Sequence, residues 1–188
     1  MKRIGILGDI GSGKTYIAKC FGFPVFNADL EVAKIYKYNR KVFQKLKKEL
    51  PNYFDSFPIK KKEIINAILS NRKNLKRIIK IVHREVRKKM NDFLRKNKHK
   101  KLVVLDIPLL LENKINKKKD ILIFVESKKS EILKRLKKRK NFNMEILNNF
   151  KKMQLSLVLK KKKSQFIIKN NFKNSVKVRV REIIKNLV

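Results

Sequence analysis

The 188-residue chain has a single cysteine, Cys20. One thiol excludes an internal disulfide framework and fits a reducing compartment. Cys20 follows Lys19 in a helical stretch and reads as a buried packing residue. Glycine (5) and proline (4) are scarce, and no structureless linker or internal repeat is visible. No run of roughly 20 apolar residues could span a bilayer. The apolar stretch in "MKRIGILG" is too short for a secretory signal before it turns glycine-rich. A soluble cytoplasmic protein with no membrane partner is expected. Acidic residues are also short: 15 Asp+Glu stand against 52 Lys+Arg, a net charge of +37. Such an excess suits a polyanionic partner. It equally suits the compositional drift of an AT-rich genome, which enriches lysine, asparagine and isoleucine. The lysines are spread over nearly every segment, which favours drift.

Hydrophobic residues make up 43% of the chain, enough for a packed core in one domain. "RIGIL" (3–7) reads as a buried strand running into "GDIGSGKT". Gly8, four residues, then Gly13-Lys14-Thr15 is the G-x-x-x-x-G-K-S/T phosphate-binding pattern. Glycines at 8, 11 and 13 let backbone N–H groups turn toward phosphate oxygens, with the positive end of a helix behind them. Lys14 is then expected on the β/γ-phosphates and the Thr15 hydroxyl on Mg²⁺. The loop identifies a nucleotide donor and leaves the acceptor open.

Further strands are expected at 24–29, 101–113, 120–127 and 164–170. Helices are expected at 13–21, 30–50, 61–69, 74–97, 128–138, 143–162 and 174–187, with a loop at 51–58. This alternation implies an α/β fold with a parallel sheet. Residues 128–163 are lysine-dense and read as a mobile basic arm rather than core. Asp29 ends the second strand and is either a helix N-cap or a base for an attacking hydroxyl. Asp106 ends the third, where a carboxylate either closes a turn or holds Mg²⁺ through water. Arg135 and Arg139 share a helix face, as a solvated surface or as a phosphate clamp. His83, alone on its helix, reads as structural, with no metal partner in His99.

Taken in chain order, several segments resemble dephospho-coenzyme A kinases: "GILGDIGSGKT", "FNADLEVAK", "IVHREVRKKM", "LDIPLLLEN", "RLKKR" and "QLSLVLKKKKSQFIIKN". The resemblance covers nearly the whole chain. It implies a nucleoside-monophosphate-kinase-like P-loop fold, with a five-stranded parallel core (1–28, 100–127, 164–188), a substrate-binding helical region (29–99) and a lid (128–163). It also implies ATP-dependent phosphorylation of the ribose 3′-hydroxyl of dephospho-coenzyme A, with ATP as co-substrate and Mg²⁺. On this resemblance Gly8, Gly11, Ser12, Gly13, Lys14, Thr15, Tyr16, Arg135, Arg139 and Asn170 bind ATP. Asp29, His83, Arg87, Pro108, Leu109 and Glu112 bind substrate. Asp29, Lys14 and Arg139 are catalytic, with Asp29 the base, and Asp106 joins Thr15 at the metal through water.

The chain departs from the family pattern at several points. Asn27 stands where a first Asp is usual, so only Asp29 can be the base. Asp9 replaces a loop glycine and Ala33 a basic residue. Arg84 replaces a proline, so the helix runs on there. Phe150 stands for an arginine, and Gln165 and Lys169 for acids. The alternatives are another small-molecule or nucleoside monophosphate kinase of the same fold and, in a different class, a nucleic-acid-stimulated ATPase. Aromatic-interleaved basic motifs typical of strand binders are not evident, so nucleic acid is not the expected partner. Oligomeric state is not legible.

Overall fold

The structure is a computed structural model that describes residues 1–139 and 142–187. Five strands form one sheet: β1 (Lys2–Gly8), β2 (Val25–Asn27), β3 (Leu102–Asp106), β4 (Ile121–Glu126) and β5 (Phe166–Lys169). Their order is β2-β3-β1-β4-β5, and every pairing is parallel. β1 and β3 read as near-continuous apolar runs because both of their faces are covered; all of β3 and all of β1 but Lys2 are buried.

The chain divides into two compact units. The first comprises Met1–Asn27, Leu94–Phe142 and Met153–Val188 and holds the whole sheet. Ile4 and Ile6 of β1 share a core with Ile17 and Ala18 of α1 (Lys14–Cys20) and with Val180 and Ile183 of a C-terminal helix, Lys177–Leu187. Cys20 packs against that core but is only part-buried, short of the burial expected of it. At the amino ends of the strands, Arg3 pairs with Asp120 at 2.8 Å, both almost fully buried.

The second unit comprises Ala28–Phe93 and Asn143–Lys152. Residues 30–50 form two helices where their periodicity predicts one: α2 (Ala28–Tyr38) and α3 (Arg40–Glu49). Asn39 makes the break, since its side chain accepts the N–H of Val42 and caps α3. The loop that follows is gathered by Glu63 of α4 (Lys61–Ser70), whose carboxylate accepts the N–H groups of Asp55, Ser56 and Lys60 and the Ser56 hydroxyl. The next helix, α5 (Arg72–Lys96), continues through Arg84 without a break.

Residues 128–139 are not a detached arm. α6 (Lys129–Lys137) buries Ile132 and Leu136, which lie against the backbone of Gly11. The expected helix at 143–162 is likewise two: α7 (Met144–Lys151), capped by Asn143, and α8 (Leu157–Lys162), capped by Ser156. The C-terminal helix is α9. No helix of the described residues is long and apolar enough to cross a membrane.

Candidate active site

The phosphate-binding loop connects β1 to α1 at the carboxyl end of the central strand, where ligands of open α/β sheets bind. Gly8, Gly11 and Gly13 all have positive φ, at 144°, 86° and 91°. A side chain at Gly13 would also run into the Asn170 amide, and one at Gly8 into the Val125 carbonyl and Ser12 Oγ. Glycine is therefore required twice over at both positions.

Two contacts from distant sequence hold the loop, and its own lysine adds a third support. The Asn170 amide donates to the Ser12 carbonyl at 2.9 Å, and the Ser127 hydroxyl donates to the same oxygen at 3.1 Å. Lys14, only 9% exposed, donates through Nζ to the carbonyls of Asp9 (2.6 Å) and Gly8 (3.2 Å). Asp9, the irregular residue of the motif, accepts the Ile10 N–H on Oδ1. Ser12 Oγ is fully buried and takes no hydrogen bond among the described residues.

The Thr15 hydroxyl donates to Asp106 Oδ2 at 2.6 Å. Asp106 is 3% exposed at the end of β3, so the strand end brings a buried carboxylate to the first turn of α1. Asn27, at the end of β2, is the direct cross-strand partner of Asp106 and donates its amide to the same oxygen.

Other site residues fall into distinct roles. Arg135 lies over the Phe172 ring, 4.4 Å from its centroid, and Arg139 is exposed just past α6. Phe172 has a positive φ of 63°, and its N–H bonds Asn170 Oδ1. Asn170 is buried and spends both ends of its amide on protein, which makes it a strut of the loop. Tyr16 projects from α1, half exposed. Pro108 and Leu109 form the part-buried turn after β3. Glu112 Oε1 accepts Lys160 Nζ at 2.7 Å and the Leu155 N–H at 2.9 Å, while its buried Oε2 has no hydrogen-bond partner among the described residues. In the second unit, Asp29 sits exposed inside the first turn of α2, where a carboxylate complements the helix dipole. His83 and Arg87 lie one turn apart on α5. Burial, and then the Arg87 charge, lower the His83 pKa from its ordinary value and favour the neutral imidazole.

Sequence reasoning missed Ser127, Phe172 and Lys160. An aromatic just after a strand and one lysine in the apolar stretch "LSLVLK" were the available signals for the last two. Ser127 had none.

A five-stranded parallel sheet with this loop after its central strand, and a strand-end aspartate on the loop threonine, defines a P-loop kinase of the nucleoside-monophosphate-kinase type. Residues 2–175 match the family model for dephospho-CoA kinase. The chain is also 34% identical over 190 residues to the dephospho-CoA kinase of Wolbachia pipientis wMel, covering 98% of this chain and 97% of that relative. The chain belongs to the dephospho-CoA kinase family. Among solved structures it resembles a Thermus thermophilus protein (TM-score 0.79, 24% identity, 100% and 98% coverage). It also resembles the dephospho-CoA kinase of Campylobacter jejuni (TM-score 0.63, 22% identity, 99% and 97% coverage). At these identities the two structures support the fold alone.

Proposed function

We propose that this chain transfers the γ-phosphoryl group of ATP to the ribose 3′-hydroxyl of dephospho-coenzyme A, giving coenzyme A and ADP in the cytoplasm. Its partners on this reading are small molecules. The observation that carries it is the Thr15–Asp106 hydrogen bond beside Lys14 at the carboxyl ends of β1 and β3, in a chain matched by the family along nearly its whole length. Loop N–H groups and Lys14 hold the β/γ-phosphates, Lys14 exchanging its loop carbonyls for phosphate oxygens. The Thr15 hydroxyl and the Asp106 carboxylate are hard oxygen donors and fit Mg²⁺, directly or through water. Bound there, the ion would supply neutralisation of the charge that develops on the transferring phosphate.

The acceptor hydroxyl attacks the γ-phosphorus while its proton passes to the Asp29 carboxylate. The bond from the γ-phosphorus to the bridging oxygen breaks, and its electron pair leaves on ADP. Arg135 and Arg139 stabilise the transferring group and exclude water. The Phe172 ring supports the face of the Arg135 guanidinium and leaves its in-plane N–H donors for phosphate. His83, held neutral, is suited to hydrogen-bonding substrate without adding charge.

Purified protein is expected to phosphorylate dephospho-coenzyme A in preference to AMP or UMP. Asp29→Asn should lower kcat by roughly 10²–10⁴-fold, the range of a general base. Near-normal turnover of the variant removes Asp29 from the chemistry. Turnover confined to AMP or UMP moves the assignment to a nucleoside monophosphate kinase.

A further inference from the structure

Asp106 Oδ2 receives two donors, the Thr15 hydroxyl at 2.6 Å and the Asn27 amide at 2.5 Å. Asn27 Nδ2 also lies 3.5 Å from Thr15 Oγ1. The three side chains close a triangle because β2 and β3 pair Asn27 with Asp106 directly and β3 ends beside the first turn of α1. Chemistry fixes the amide's orientation: its oxygen would repel the carboxylate, and its N–H₂ does not. Neither donor uses Asp106 Oδ1. Since the Thr15 hydroxyl gives its proton to Asp106, its oxygen is left to accept, from the long contact of the Asn27 amide and from other partners.

We propose that Asn27 is a positioning residue for the divalent-cation end of the site. It fixes the Asp106 carboxylate against Thr15 through Oδ2, leaves Oδ1 for the cation or its water, and keeps the cluster at a single negative charge. Asn27 acts through Asp106 and touches neither substrate nor phosphate. A site with one carboxylate and one hydroxyl binds a hard cation weakly by itself and firmly only when phosphate oxygens complete the coordination. The protein should therefore take up metal together with nucleotide rather than before it. An acidic residue at 27 would instead set two carboxylates on one spot and build a site that captures free metal.

This inference rests on the reading of Thr15 and Asp106 as the metal's ligands, and Mn²⁺ as a paramagnetic probe separates the two. Binding is measured on the full chain, with and without a non-hydrolysable ATP analogue, with folding of each variant checked by thermal melting. Wild type is expected to bind Mn²⁺ weakly without nucleotide. Asn27→Asp should tighten that nucleotide-free binding by about tenfold or more, because ligand charge sets affinity at oxygen sites. Asn27→Ala should leave it weak but raise the half-saturating Mn²⁺ concentration of the ternary complex severalfold, with metal-free affinity for the analogue unchanged. Folded Asn27 variants with wild-type Mn²⁺ affinities in both states overturn the role of Asn27. If Asp106→Asn also leaves Mn²⁺ binding unchanged, the metal assignment itself falls.

Discussion

Asp9 places a negative charge inside a loop built for phosphates, and its two effects oppose each other. Its carboxylate ties down the Ile10 N–H, worth about 1 kcal/mol in loop order. The loop does not depend on that tie, because Ser12 and Lys14 are held separately by Asn170, Ser127 and the loop's own carbonyls. Repulsion of the incoming phosphates therefore dominates. Asp9→Gly is expected to lower the KM for ATP roughly two- to fivefold, equivalent to about 0.5–1 kcal/mol. A rise in KM on steady-state titration means the Ile10 contact matters more. Legibility at this scale follows sequence distance. Lys14 and Thr15 are visible because the motif is local, and Asp106 because strand ends face the ligand. The Asn170–Ser12 contact spans 158 positions and leaves no spacing to read. Lys160 is equally hidden: buried to 1%, it looks in sequence like one more basic residue among 52.

Among the elements, the apolar pattern located strands and helices but not every break. Residues 30–50 keep helical periodicity across Asn39, and only the cap that Asn39 makes to Val42 divides them. The loop before α4 depends on Glu63 in a comparable way. Burial alone raises the Glu63 pKa, but its bonds to Asp55, Lys60 and Ser56 outweigh that and hold it below the usual value. A carboxylate lowered in the folded state stabilises the fold above its unfolded pKa, and that contribution is lost as pH falls through the folded value. Glu63→Ala should cost about 1 kcal/mol near neutrality, as loss of a helix cap does. That corresponds to roughly 2–4 °C in Tm for a chain of this size. Thermal melts of variant and wild type should converge as the pH is lowered below about 4. A gap independent of pH would mean that packing, not the ionised carboxylate, is what the variant loses.

For the molecule as a whole, alternating strands and helices announced the parallel sheet, and the sheet order follows that class. The interleaving of the chain was not legible: residues 143–152 group with 28–93, although more than 40 positions separate them. Such grouping is a matter of non-local packing, which periodicity does not encode. The Ser12 carbonyl carries a consequence for the order in which this protein acquires its competence. The phosphate loop lies in the first fifteen residues, yet two of its clamps come from Ser127 and from Asn170, just past the last strand. Synthesis delivers the loop more than 150 residues ahead of Asn170. Ribosome-bound chains stalled before Asn170 emerges are expected to retain little of a labelled ATP analogue, whereas released full-length chains retain it. Nucleotide capture then waits for the segment that carries Asn170, and a chain that lacks it holds no ATP idle.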